Sequence, residues 1–277
     1  MSAETYLSED SSQGFSNDNN VVAEIVNEDS NSQLVTYKEY YIRSFVRIFA
    51  ILASVYGMVI SWDGWMGLTY FTKLSNVMIC VALAGSQFFD TRSVLKSRAL
   101  NEKLGWKDNK SNAWYVFKFM MTISITVTFS LYLCFLAPTD KAGFVQAYMQ
   151  SGAHSLCVHF IAPLLAIADF LLFDYRFRSS KTHVYYSVIP PLSYVAYVVA
   201  LAQISGVRWG EHAMQAPYNF LNYGSPAGWF GFAPSTVNST TVGVGVAYLL
   251  VILTLIFVVL GRVFLALKDS RAKKCGC

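Results

Sequence analysis

Charge is scarce in this chain. Asp, Glu, Lys and Arg make up only 14% of 277 residues, against 54% hydrophobic residues. That balance excludes an ordinary soluble domain of this size. The apolar residues also run in long blocks rather than in an amphipathic pattern, which marks an integral membrane protein. Lys and Arg are missing altogether from residues 1–37, which hold seven acidic side chains and are rich in Ser and Asn. A disordered acidic tail is expected there. Its opening, MSAETYLSEDSSQGF, lacks a basic n-region and an early apolar run, so no cleavable signal peptide is expected.

The five cysteines show no disulfide framework and no zinc spacing. Cys80, Cys134 and Cys157 lie in apolar runs, where a thiol acts as a small apolar filler. Cys275 and Cys277 close the chain as KKCGC, a setting open to palmitoylation or prenylation, although an unmodified tail is the plainer expectation. No cofactor, metal or nucleic-acid partner is expected; the partners expected are membrane lipids. No internal repeat is visible. Pro163 and Pro190-Pro191 do not stand at the matching positions that inverted transporter halves require.

Six apolar spans can be drawn, roughly 40–60, 68–89, 113–136, 153–173, 184–206 and 242–266. Each is about 20 residues, as a hydrocarbon core of ~30 Å requires. After residue 37 the chain carries 21 basic against 10 acidic groups, unevenly placed. Connection 90–112 holds Arg92, Lys96, Arg98, Lys103, Lys107 and Lys110; connection 174–183 holds Arg176, Arg178 and Lys181; the C-terminal tail holds Lys268, Arg271, Lys273 and Lys274. The alternate connections carry almost no base, only Lys141 and Arg208. The alternation predicts an all-α, six-span protein with both termini cytoplasmic. Three parts follow: an acidic tail at 1–37, a six-helix membrane domain at 38–268, and a short basic tail at 269–277. Trp62, Trp65, Tyr70, Trp209 and Trp229 then form an aromatic belt at the outer interface. The long last outward connection, APYNFLNYGSPAGWFGFAPSTVNSTT, reads either as a lid over the bundle mouth or as a loop lying at headgroup level. Within it, Asn238-Ser239-Thr240 matches a glycosylation sequon.

Ionisable and polar residues inside spans are costly, roughly 2.5–3.5 kcal/mol for a charged side chain on insertion scales, so each needs a reason. His159 lies six residues into the fourth span, ~9 Å deep at 1.5 Å per residue. Thr72 lies ~6–8 Å into the second span by the same rise. The two therefore share a depth in the outer half of the membrane. Thr72, Ser75 and Asn76 occupy one helix face, with Ser75 and Asn76 expected mainly as interhelical hydrogen-bond glue. Pro163 has no N–H, so a kink with a freed carbonyl at His159 is expected. Lys73 is expected to snorkel to the outer headgroups. Asp169 is ~15 Å beyond His159, too far to complete a triad. It lies level with Arg47, and less closely with Lys118, and reads as a structural ion pair.

A hydroxyl needs a base within ~2.6–3.2 Å to become a nucleophile, and histidine is the commonest such base. A Thr72–His159 pair in the outer leaflet meets lipids, and the chemistry it suits is acyl transfer to water. Asn76 or backbone donors at the kink are candidates to hold the oxyanion.

The segments YFTKLSN, VHFIAPLLAIADFLLF, PPLSYVAYVV and APYNFL, in that order across six spans, resemble the bacterial six-pass membrane family called Pr-six-Pr. That family in turn resembles the eukaryotic androgen-induced (FAR-type) membrane threonine hydrolases. The resemblance runs from about residue 41 to residue 268 and rests on order and topology rather than on one motif. It implies hydrolysis of fatty acid esters of hydroxy fatty acids by one Thr and one His. The Thr corresponds to Thr72 in Phe71-Thr72, and the His to His159, followed by Pro163 and Asp169. The proline stands one place nearer the histidine than in those hydrolases, and Ser75-Asn76 stands near where they carry an acidic residue. The function expected is a lipid-ester hydrolase with Thr72 as nucleophile and His159 as base. The alternatives are a membrane protein that binds or transports a lipid or small molecule, and a membrane regulator. The location expected is the cell membrane of a bacterium, or the endoplasmic reticulum or plasma membrane of a eukaryote.

Overall fold

A computed structural model describes residues 34–100, 106–108, 110–139 and 143–275. Most of the acidic segment, Lys103, Lys141 and Cys277 lie outside the described residues. Among the described residues the protein is all-α apart from two short strands. Five helices among them are long and apolar enough to cross a membrane, which fits a multi-pass membrane protein.

Strand β1 (Leu34–Val35) pairs antiparallel with β2 (Trp106–Lys107). Helix α1 (Tyr37–Ile60) starts at Thr36, whose hydroxyl accepts from the Glu39 amide at 3.2 Å, satisfying one first-turn donor. Helix α2 (Phe71–Ala99) runs 29 residues but is less apolar than the others, because Thr72, Lys73, Ser75, Asn76, Ser86, Gln87 and Asp90 interrupt it. Helix α3 (Asn112–Leu131) is capped by Ser111 in the same way as α1 and passes into a π turn over Tyr132–Leu136. Helix α4 (Phe144–Leu156) passes through a second π turn, Cys157–Ile161, into α5 (Ala162–Phe173). Helix α6 (His183–Tyr186) is a single turn ahead of α7 (Ile189–Ile204), whose Pro190 and Pro191 fall in its first turn, where their missing N–H groups remove no helical bond. Helix α8 (Val246–Lys274) continues past the apolar run, so residues 269–274 of the basic tail are helical.

Helix α1 packs on α2 and on α5, α2 packs on α3, and α3 packs on α5, while α7 and α8 flank this group. Small residues set the closest approaches. A Cβ at Gly57 would sit 2.5 Å from Val158 Cγ1 and 2.8 Å from the His154 carbonyl, so glycine alone lets α1 lie against the second π turn. The core splits into a cluster around Phe119, Ile123, Phe170 and Phe257, and another around Ile79, Leu83, Ile125 and Ala166. A third joins Tyr194 and Val198 of α7 to Trp209 and Leu221 of the long connection.

Candidate active site in the helix bundle

The site begins with Pro163. At the end of the second π turn the Ala162 amide donates to the carbonyl of Cys157 rather than to that of Val158. In this wider register the next amide, at 163, would serve Val158, but proline has no N–H. Val158 is thus left with a carbonyl that its own helix cannot satisfy. Asn76 of α2 fills the place: its Nδ2 donates to Val158 O at 3.3 Å. The capped carbonyl is therefore that of Val158, not that of His159, because the π turn shifts the register by one residue. Asn76 Nδ2 also donates to Thr72 O at 2.9 Å, and its Oδ1 accepts from Ser54 Oγ of α1 at 2.8 Å. Both amide protons are engaged, so Asn76 joins three helices and has no N–H left for an oxyanion.

The two π turns face each other. Tyr132 in the first stacks on His159 in the second, with ring centroids 3.7 Å apart and planes within 10°. Wide turns of this kind recur at functional sites because they re-aim side chains. The Tyr132 hydroxyl donates to Ala147 O at 2.7 Å and shares a 2.7 Å hydrogen bond with Ser155 Oγ, one turn ahead of His159. His159 Nδ1 is shielded from solvent and has no hydrogen-bond partner among the described residues. The hydroxyl of Tyr148, whose ring packs on Tyr132 at 5.1 Å, is likewise buried and without a partner. Tyr132, Tyr148 and Ser155 escaped the sequence reading. Their one signal was phenolic and hydroxyl groups recurring beside an apolar run.

Thr72 stands at the start of α2, one turn from Asn76, and so flanks the same contact between α2 and the second π turn. Among the described residues no hydrogen bond joins Thr72 to His159. Ser75 donates to Thr72 O at 3.0 Å and meets Thr128 Oγ1 of α3 at 3.2 Å. The long connection folds back over this end of the bundle. Trp209 Nε1 donates to Thr69 Oγ1 at 2.8 Å, and Tyr218 packs edge-on to Tyr70. Burial pushes the Tyr218 phenol up, and polar contacts with the Thr72 side chain and the Phe71–Thr72 backbone act against that push. Lys73 pairs with Asp63 and donates to Ser61 O, each at 2.6 Å.

A buried ionic network occupies the other end. Arg47 Nε donates to Asp169 Oδ1 at 2.8 Å, and its Nη1 reaches Asp90 at 2.6 Å. Lys118 is shared between Asp169 and Asp174. Lys110 joins Asp90 to Asp108, Arg43 joins Glu39 to Asp90 and Asp108, and Arg176 reaches Glu39 at 3.3 Å. Five basic and five acidic side chains balance, so the desolvated cluster is neutral as a whole, as a structural joint of four helices requires. Outside the helices, burial alone would raise the Asp108 carboxyl. Lys110 and the Tyr115 hydroxyl outweigh it and hold the group below the usual carboxylate range.

No family model, curated protein or solved structure matches the chain.

Proposed function

We propose that this is a six-span membrane protein, both termini cytoplasmic, that hydrolyses lipid esters with Thr72 as nucleophile and His159 as base. The sixth span is α2, whose 29 residues exceed the length needed. In support of the orientation, the basic connections meet at the end that holds the ionic network, while the base-poor connections meet at the end that holds Thr72.

One observation carries the catalytic reading. A histidine nitrogen is withdrawn from solvent with no partner among the described residues, on a wide turn whose preceding carbonyl is tied to the helix that presents Thr72. A buried polar atom without a partner costs about 1–3 kcal/mol, which a site recovers when substrate or nucleophile engages it. In the proposed reaction His159 takes the Thr72 proton as Oγ attacks the ester carbonyl, and returns it to the departing alcohol. Water then releases the acyl group by the same base. Hydrogen bonds of catalytic pairs often tighten only once substrate is bound.

A second reading has its own observation. Tyr218 makes a polar contact with the Thr72 side chain, and among the described residues no hydrogen bond links Thr72 to His159, an arrangement that suits a site binding a lipid or small molecule without turnover. Turnover of a fluorogenic long-chain acyl ester by the purified protein in micelles separates the two. The hydrolase reading expects activity in wild type and its loss in folded Thr72→Ala and His159→Ala. Absence of turnover in wild type, or variants that match it, favours binding.

A further inference from the structure

An ester hydrolase needs a donor for the carbonyl oxygen as negative charge develops on it. Asn76 is not that donor, because both its amide protons are held by Thr72 O and Val158 O. Tyr148 meets the requirement. Its ring is 6% exposed and is held on three sides by Tyr132, Phe144 and Phe160, at centroid distances of 5.1, 5.5 and 6.0 Å. Packing of this kind fixes the direction of the hydroxyl. The hydroxyl itself is buried and has no hydrogen-bond partner among the described residues. The second buried polar atom of this region without a partner, His159 Nδ1, belongs to the ring stacked on the same Tyr132. Two buried polar atoms without a partner among the described residues thus belong to rings that pack on one tyrosine, Tyr132.

The backbone explains how Tyr148 comes to face inward. Within α4, Gly152 and Ala153 have φ of +79° and +60°, so the regular helical path is interrupted between Tyr148 and the turn that carries His159. For Ala153 that conformation costs roughly 1–2 kcal/mol, sustained by the surrounding contacts. One is the Tyr56 hydroxyl, which donates to Gly152 O at 2.9 Å. The same segment turns Val145 and Met149 outward, 67% and 50% exposed, so its outer face is suited to hydrocarbon chains while Tyr148 packs on Tyr132.

We propose that the Tyr148 hydroxyl donates to the carbonyl oxygen of a long-chain ester beside His159 and stabilises the oxyanion formed there. This rests on the hydrolase reading. As Thr72 Oγ bonds to the carbonyl carbon, the π pair moves to oxygen, where the Tyr148 O–H donates to it. Collapse restores the carbonyl and expels the alkoxide, which takes the proton held by His159.

Tyr148→Phe removes only the hydroxyl and keeps the ring contacts, so the test uses three readouts. The unfolding midpoint is expected to stay level or rise, because the group deleted has no partner in the free protein; a clear fall means that it has one and overturns the proposal. Ester turnover is expected to fall about 100-fold or more, as for loss of one oxyanion donor. Unchanged turnover in an active enzyme overturns the proposal and leaves the Thr72–His159 reading standing. Binding of a long-chain ketone and of the alkane of equal length is then compared in a Thr72→Ala background, by displacement of a fluorescent polyene hydrocarbon. Tyr148→Phe is expected to weaken the ketone about fivefold, the worth of one hydrogen bond, and to leave the alkane unchanged. If wild type hydrolyses no ester, the hydrolase reading falls, and this comparison decides the role of Tyr148 alone. Equal ketone affinities overturn it.

Discussion

Replacing Asn76 by leucine tests the wide turn directly. The change removes hydrogen bonds to Ser54 at 2.8 Å and to Val158 O at 3.3 Å, each joining α2 to another helix. Interhelical bonds in membranes are worth about 0.6 kcal/mol each, and an orphaned buried carbonyl costs about 1–3 kcal/mol more. Asn76→Leu should therefore destabilise by roughly 2–4 kcal/mol. The second half of the experiment is Pro163→Ala. An alanine at 163 has an N–H that the π register aims at Val158 O, the acceptor Asn76 otherwise serves. In the double variant that carbonyl regains a donor, so the combined loss should fall short of the sum by about 1 kcal/mol or more. The assay is a double-mutant cycle by equilibrium unfolding in mixed micelles. Additivity within about 0.3–0.5 kcal/mol would refute the reasoning that one carbonyl links the two residues.

Three further expectations follow from the packing and charges. Arg47→Met leaves Asp169 and Asp90 each one cation short inside a desolvated cluster, and should cost about 3–5 kcal/mol in the same unfolding assay. Gly57→Ala brings a methyl within 2.8 Å of the His154 backbone oxygen, so a lowered thermal midpoint is expected, with any site readout changing together with it. The Asp108 carboxyl is held below its ordinary range, so its stabilisation is fully present above the unfolded pKa near ~3.9 and is lost as pH falls through the lower folded value. Wild type should lose stability on acidification below about pH 4, and Asp108→Asn should flatten that acid limb in a pH series of melts.

Much of the fold was legible because hydrocarbon length and helical rise are simple rulers. The apolar runs located the five long apolar helices to within a few residues at most ends, and α8 overran its apolar run because its last turns continue as a basic helix. Counting 1.5 Å per residue set Asp169 level with Arg47 and Lys118, and these three side chains meet in the structure. The same ruler could not show Asp90, Asp108, Lys110 and Asp174 joining them, since charges next to a span read as solvated loop. The π turns left no trace, because one extra residue per turn barely alters an apolar pattern in a segment apolar all round. Pro163 announced a freed carbonyl, but which carbonyl depended on the register of the turn. The surroundings of His159 were hidden for a similar reason: Tyr132, which stacks on it, and Tyr148, which packs on Tyr132, come from other segments, and only packing brings them together.

The central claim is that Thr72 becomes an acylating nucleophile through His159. The direct measurement is covalent labelling of the purified protein in micelles by a long-chain fluorophosphonate, with the modified residue located by peptide mass. A single adduct on Thr72 is expected, absent from a folded His159→Ala variant. An unlabelled protein, an adduct on another residue, or labelling of Thr72 that persists without His159 would contradict it.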